Sequence, residues 1–316
     1  MSLPSSELNS TTLLTKRNLS LFFPLVIAGL PLWWHPLLAT YQLGITNDAY
    51  TYILLIVPLS AVLIFFEFRN PHAPYEPKRW PGAVLLSAAL LLRLSVAGLH
   101  VSPGKSLFVI IAALAIWWIG AVVFAFGSGA FRPFLFPLCL LLLITPMPGE
   151  TTAWLSGILQ QQSASASTML FHLMGVPVLR DGVVLTIPGL TIEVAHECSS
   201  IRSSTMLILV SLILAHLFLR SGWRKALLVL AAFPLSVLKN AIRIITIAEL
   251  GTRVNPSYLH GSLHRQGGVV FLGLSVAMLV LVLWALRKTE PAGAERVRER
   301  HEEPQVLLKK TTNLTT

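Results

Sequence analysis

Residues 195–204 read A-H-E-C-S-S-I-R-S-S and lead directly into an apolar run that ends near Leu219. The stretch holds Cys198, one of only two cysteines, among charged and hydroxyl side chains. An apolar run of this length is typical of a helix that crosses a bilayer. A thiol in a polar segment at the entrance of such a helix indicates a candidate reaction site in an integral membrane protein.

The composition of the whole chain agrees with a membrane protein. Of the 316 residues, 54% are hydrophobic and 12% are charged, and the mean hydropathy is +0.71. Soluble domains carry about a quarter charged residues. The net charge of +10 comes from short loops and the tail, which suits anionic membrane lipids as partners. The chain carries no nucleic-acid-binding motif, so nucleic acid is not expected as a partner.

The apolar runs predict an all-α integral membrane protein with about eight transmembrane helices. Basic residues favour cytoplasmic loops, and their alternation along this chain predicts that both termini are cytoplasmic. The regions 41–49, 147–202 and 251–266 are then on the outer side. The eight spans are predicted at 19–40, 50–68, 82–99, 106–126, 131–146, 203–219, 225–250 and 267–286.

We expect one polytopic membrane domain over residues 1–288 and a short polar cytoplasmic tail over 289–316. Within the domain, the outer segment 147–202 leads to the candidate site. Its residues Thr152–Met174 form an amphipathic pattern that predicts a helix at the membrane surface. The next residues change to a period of two, which predicts a small β-hairpin, and an ordinary long loop is the alternative.

Three polar residues from distant parts of the chain fall at a similar predicted depth. Cys198 precedes the sixth span, Arg243 lies within the seventh, and His264 is at the entrance of the eighth. If they meet, the histidine can take the proton of the thiol and return it to a leaving group. The arginine can stabilise a tetrahedral oxyanion. This is the outline of a cysteine acyl-transfer site, although a shared depth does not establish contact.

Each of these residues also has a plainer interpretation. A cysteine at a helix entrance is usually inert, and His260 competes with His264 as an interfacial loop histidine. Arg243 has Asn240 one turn earlier on the same helix face, so the two residues suit a structural pair as well as a functional site.

Other polar residues and motifs give weaker evidence of a functional site. Arg93, a second intramembrane arginine, suits snorkelling or structural pairing, and Cys139 suits a small packing residue inside an apolar run. The chain contains no H-E-x-x-H or C-x-x-C motif and no phosphate-binding glycine loop. No metal ion and no cofactor is therefore expected.

At the candidate site the sequence resembles the exosortase/archaeosortase family of membrane cysteine transpeptidases. The resemblance extends over residues 45–286. It is carried by three motifs, E-C-S-S-I-R-S-S at 197–204, N-A-I-R-I-I-T-I at 240–247 and H-R-Q-G-G-V-V-F at 264–271.

The resemblance implies the roles of individual residues. Cys198, Arg243 and His264 are implied as catalytic, and the third motif favours His264 over His260. Gly268, four residues after His264, belongs to the same motif. In addition to the resemblance, we expect Arg202 and Asn240 to support the site.

The resemblance also implies the substrate. Family members process exported proteins that end in a short signature motif, a transmembrane helix and a basic cluster. Such a protein would be cleaved through a thioester and transferred to an acceptor at the outer face of a bacterial plasma membrane. The alternative is a transporter or lipid-handling protein that binds an anionic ligand through its intramembrane arginines, although the chain shows no internal repeat of the kind that many transporters carry.

Overall fold

The computed structural model describes residues 5–69, 78–96, 102–127, 131–194, 201–255 and 262–290. Side chains are not described for 5–17, 68–69, 131–133 and 262–269. Cys198 and most of the predicted tail therefore lie outside the described residues, and His264 and Gly268 are described only by their backbone.

The described part of the chain forms nine α-helices, two short 3-10 helices and one three-stranded sheet. The α-helices are α1 Ser5–Thr46, α2 Ile53–Arg69, α3 Trp80–Ser95, α4 Pro103–Phe126, α5 Phe131–Leu141, α6 Gly149–Leu173, α7 Ile201–Phe218, α8 Gly222–Arg253 and α9 Ser262–Lys288. The 3-10 helices are Asp48–Tyr50 and Leu142–Ile144, and the strands are β1 Leu179–Asp181, β2 Val184–Ile187 and β3 Leu190–Glu193.

This is an all-α, multi-pass membrane architecture, as the sequence predicted. Six of the described helices are long and apolar enough to span a bilayer, against the eight spans predicted. They are Asn18–Thr46, Asp48–Glu67, Pro103–Phe126, Ile201–Phe218, Gly222–Arg253 and Val270–Lys288.

The remaining two predicted spans, the third and the fifth, differ from expectation. Helix α3 has only 16 residues. Helix α5 has 11 residues, and the segment Phe134–Ile144 meets α6 at an angle of 99°, so the two together make at most one broken span. Pro146 and Pro148 stand at this bend, where each removes a backbone donor and restricts the preceding residue.

Helices α3 and α4 pack closely because glycines lie at their contact. A Cβ on Gly82 would be only 2.5 Å from the Cα of Phe124. Gly120 of α4 faces the Leu86 backbone in the same way, and a Cβ there would be 3.1 Å from the Leu86 nitrogen. Small residues at such contacts let membrane helices approach through their backbones.

Helices α7, α8 and α9 pack against one another around a shared apolar core. Its buried members are Leu207, Ala215, Leu219, Leu228, Ala232, Leu279 and Leu283. This three-helix unit brings together the elements that carry the three motifs.

The end of α9 is tied to the turn between α7 and α8. Glu290 Oε1 accepts hydrogen bonds from the backbone N–H of Arg220 at 2.9 Å and of Ser221 at 3.1 Å. The Arg224 Nη1 atom lies 3.9 Å from the same carboxylate, and its Nη2 donates to the Thr289 carbonyl at 2.5 Å. Burial raises the pKa of Glu290, but the two N–H donors and the Arg224 charge outweigh it, so this pKa lies below its ordinary value.

The predicted β-hairpin is present, and the sheet has a further strand. Strands β2 and β3 pair antiparallel, and β1, which was not predicted, pairs with the other edge of β2. Gly182 and Gly189 occupy the turns with φ of 60° and 82°, a region that favours glycine. Leu185 and Ile187 of β2 are buried in a cluster with α6 and α8, so the sheet is anchored to the helices.

Helix α6 is present where a helix was predicted, and one stripe of its polar side chains faces the protein, whereas Gln161, Gln162 and Ser165 are exposed. Ser156, Gln160, Ser163 and Ser167 are buried and share one face of the helix. The apolar Trp154, Met169 and Leu173, which the amphipathic pattern placed against the membrane surface, are exposed at 64–71%. Helix α6 packs against α8 and brings a polar stripe into the interior.

Cys139 does not pack in the core, contrary to expectation. Its side chain is exposed on α5. The buried side of α5 is formed by Phe134, Leu138 and Leu141, which follow helical spacing, and Cys139 lies beside that stripe.

Candidate functional site

The first turn of α7 lies against the middle of α8. Lys239 Nζ donates a hydrogen bond to Ser203 Oγ at 2.5 Å. One turn earlier on α8, Ser236 Oγ is 2.5 Å from Ser204 Oγ. Two polar contacts therefore fix where α7 begins relative to α8.

A small polar cleft lies at this contact, between α6, α7 and α8. Its lining residues are Leu159, Ser163, Ser204, Ser236, Lys239 and Asn240. Lys239 is 5% exposed and Asn240 is 3% exposed, so the cleft holds a buried cation and a buried carboxamide. Neither amide atom of Asn240 has a hydrogen-bond partner among the described residues.

Arg243 lies on α8 one turn beyond this cleft. Its side chain is partly buried, and Asn240 stands three residues before it on the same helix, as predicted. Helix α8 continues for ten residues to Arg253, so Arg243 is about 15 Å along the axis from the helix end. The intervening turns carry Ile244 and Ala248, which are buried against the β-hairpin.

Arg202, predicted to support the site, pairs with a different element. Its Nη1 donates to Asp48 Oδ1 at 2.9 Å, and the two side chains are 49% and 85% exposed. Nearby, the Tyr50 hydroxyl donates to the Met147 carbonyl at 2.9 Å. These contacts join the start of α7 and the segment before α6 to the 3-10 helix after α1.

Helix α6 anchors the segment that leads to Cys198. Gln160 Nε2 donates to the carbonyl of Val194, the last described residue before Cys198. Val194 is itself buried, and its N–H donates to the Val183 carbonyl at 3.0 Å.

The three residues predicted as catalytic are brought together only at the level of their elements. Cys198 lies outside the described residues, three positions before α7. His264 is the third residue of α9, and Arg243 is in α8. Helices α7, α8 and α9 pack together, so the fold permits the three side chains to meet. Contact between these side chains stays a prediction. Gly268 lies one turn after His264 in α9.

Sequence reasoning missed Lys239 and the inward face of α6, including Gln160. The signal for Lys239 was present, because a lysine inside an apolar span is a functional candidate by default. Arg93, by contrast, lies in the last turn of α3, which packs against α4, and it does not line the cleft.

Comparison with known families gives a match over most of the chain. The family model described as transmembrane exosortase matches residues 33–281, which include all three motifs. No curated protein and no solved structure matches the chain significantly.

Proposed function

Because the chain belongs to the transmembrane exosortase family, we propose that it is a membrane cysteine peptidase and transpeptidase. Its substrates would be exported proteins with a C-terminal sorting tail. The observation that carries the proposal is the position of the α7 start, which contacts Lys239 one turn from Arg243.

Chain connectivity limits how far Cys198 is from this point. Consecutive residues span at most about 3.6 Å each, so the Cα of Cys198 is within about 11 Å of the Cα of Ile201. This limit supports the proposal that Cys198 lies near the α7–α8 contact. This supports a site that Cys198 and Arg243 share.

The proposed reaction has two steps. The Cys198 thiolate attacks the scissile carbonyl, Arg243 stabilises the oxyanion, and His264 protonates the leaving amine as the C–N bond breaks. A thioester on Cys198 remains. An acceptor nucleophile or water then attacks it, His264 takes its proton, and the thiolate is released.

The proposed setting follows the family and the charge pattern. The enzyme would lie in a bacterial plasma membrane with both termini cytoplasmic and the site on the outer side. The transmembrane helix of the substrate would lie beside α7–α9 with its basic end in the cytoplasm. Its cleavage motif would then reach the level of Cys198.

The test is cleavage of a co-expressed protein that carries such a tail. We expect Cys198→Ala to abolish cleavage while the variant still inserts into the membrane, and Cys139→Ala, the matched control, to cleave normally. Cleavage by Cys198→Ala at the wild-type rate would overturn the mechanism.

A further inference from the structure

We propose that the open edge of strand β3 binds an extended segment of the substrate as a further β-strand. The inference rests on the proposed function, because the segment would belong to the polypeptide that is cleaved. It gives the small sheet, to which the proposed reaction assigns no part, a role in substrate binding.

The pairing of β2 with β3 fixes which backbone groups of β3 face away from the sheet. The Val194 N–H donates to the Val183 carbonyl at 3.0 Å, and these two residues continue the antiparallel register by one pair. Hydrogen-bonded and non-hydrogen-bonded pairs alternate in such a ladder, so Ile192 also bonds to β2. The N–H and C=O groups of Thr191 and Glu193 therefore point away from β2, and none of these four groups has a hydrogen-bond partner among the described residues.

This open edge matches the backbone of an extended peptide. A strand that is added to a sheet edge pairs its own N–H and C=O groups with those of the edge. The β1 edge offers less, because by the same alternation only Arg180, opposite Leu185, faces outward there. The Arg180 side chain also folds back and donates to the Gly182 carbonyl at 2.8 Å.

The helices hold the β3 edge in place before any peptide binds. Leu190 and Ile192 pack against a buried cluster that includes residues of α6 and α8. Thr191 and Glu193, which alternate with them along the strand, have exposed side chains. A rigid edge loses little conformational entropy when a peptide pairs with it.

The position of β3 in the chain favours the substrate as the occupant. Glu193 is five residues before Cys198, so their Cα atoms are at most about 18 Å apart. A peptide beside β3, at the usual strand spacing of about 4.8 Å, would run along the segment that leads to Cys198. A second copy of the chain suits the edge less, because both edges would carry the exposed Glu193 carboxylate and like charges on paired strands repel.

The first experiment measures disulfide formation in membranes between the chain and a co-expressed protein with a sorting tail. Thr191→Cys or Glu193→Cys is introduced into Cys139→Ser, Cys198→Ala chains, so that one thiol remains and cleavage does not interfere. The substrate carries a single cysteine, which is moved through successive positions before its transmembrane helix.

We expect disulfides at alternate substrate positions, because successive side chains of a strand point to opposite faces. The preferred position should move by two residues between Thr191→Cys and Glu193→Cys, and the sense of this shift gives the direction of the bound strand. Thr186→Cys is the matched control. Thr186 is exposed and is paired with Thr191, but it lies one strand further from the peptide, at about 10 Å, which is too far for a disulfide.

Three results of the disulfide experiment would overturn the proposal. They are the absence of disulfides to the substrate, disulfides of equal yield at every substrate position, and an equal yield from Thr186→Cys. A disulfide between two copies of the chain, with none to the substrate, would identify the edge as a dimer contact and would also overturn it.

The second experiment measures cleavage of the tailed protein by Thr191→Pro and Glu193→Pro chains that keep Cys198. Proline removes the outward N–H but leaves the bonds to β2, and edge strands tolerate it. We expect cleavage to slow by about tenfold, the effect of one lost hydrogen bond. Arg180→Pro, the same change at the β1 edge, should cleave normally and melt at the same temperature as the two β3 variants.

Equal cleavage by the β3 variants and Arg180→Pro would contradict the proposal. If the β3 variants melt lower, the disulfide pattern decides, because it is measured in chains without the added proline. Failure of this inference is separate from failure of the proposed function. A chain that cleaves through Cys198 but gives no alternating disulfides refutes only the docking edge, whereas cleavage by Cys198→Ala refutes the reaction.

Discussion

Two cationic side chains near the start of α7, Arg202 and Lys239, differ in their exposure to solvent. Arg202 pairs with Asp48 at 2.9 Å, but both side chains are largely in solvent, whereas Lys239 is 5% exposed. An exposed pair contributes little because water screens it. The buried lysine, which sequence reasoning passed over, is therefore the residue that calls for an explanation.

This contrast predicts a small effect for Arg202→Gln. We expect a loss of at most about 1 kcal/mol in the free energy of unfolding, the ordinary range of exposed ion pairs. Denaturant unfolding in detergent measures it, with Asp48→Asn as the matched control. If stability is unchanged but cleavage falls strongly, Arg202 supports the reaction, as predicted; a large loss of stability would contradict the exposed geometry.

At the scale of helices, the closest backbone approach predicts the most sensitive glycine. Gly82→Ala would force a Cβ to within 2.5 Å of the Phe124 Cα, so we expect α3 and α4 to separate and the melting temperature to fall sharply. Gly157 in α6 has open space where a methyl group would be added, with no atom within 4 Å, so Gly157→Ala should be neutral or stabilising. Equal melting temperatures for the two variants would contradict the described packing.

The inward polar face of α6 predicts a second sensitive position. Ser167 is fully buried and donates to the Ser163 carbonyl at 2.8 Å. Ser167→Leu should therefore overpack the α6–α8 contact and lower the free energy of unfolding by about 1–3 kcal/mol. Met169→Leu, at a site 64% exposed, should change stability little. Thermal unfolding of both variants decides; a neutral Ser167→Leu would mean that α6 faces the other way.

Helix α6 also shows how far sequence patterns reach. Its existence followed from periodicity, but its orientation did not, because an amphipathic pattern does not say which face meets protein. In a membrane protein, the polar stripe with Gln160 can pair inside while Trp154 faces outward. Strand β1 was missed because Leu-Arg-Asp has no alternation of its own and depends on pairing with β2. The fifth span is shorter than predicted because the chain bends before α6, at Pro146 and Pro148.

Across the whole molecule, the three motif-bearing helices were predictable and their polar contacts were not. Apolar length identifies α7, α8 and α9, and a span tolerates one lysine without losing that signal. The partners of Lys239 arise only when α7 and α8 pack, since Ser203 is 36 positions away in the sequence.

The contacts of Glu290 with the turn between α7 and α8, called the clasp below, predict how stability depends on pH. The folded-state pKa of Glu290 is lowered from the ordinary 4.5, so its carboxylate stabilises the fold above about pH 4.5, and this contribution is lost as the pH falls through the folded-state value. We expect Glu290→Gln to melt below the wild type near neutral pH. The difference should shrink below about pH 4.5; a constant difference would contradict the clasp.

The most direct test of a shared Cys198–Arg243–His264 site is the reactivity of Cys198 toward a membrane-impermeant thiol reagent at neutral pH. The measurement uses Cys139→Ser chains, so that Cys198 is the single thiol, and an Arg180→Cys, Cys198→Ala chain as the exposed reference. We predict that Cys198 reacts about tenfold or more faster than the reference, and that Arg243→Gln or His264→Ala reduces this rate to the reference value. A Cys198 that reacts no faster than the reference, or whose rate neither substitution changes, would contradict the site.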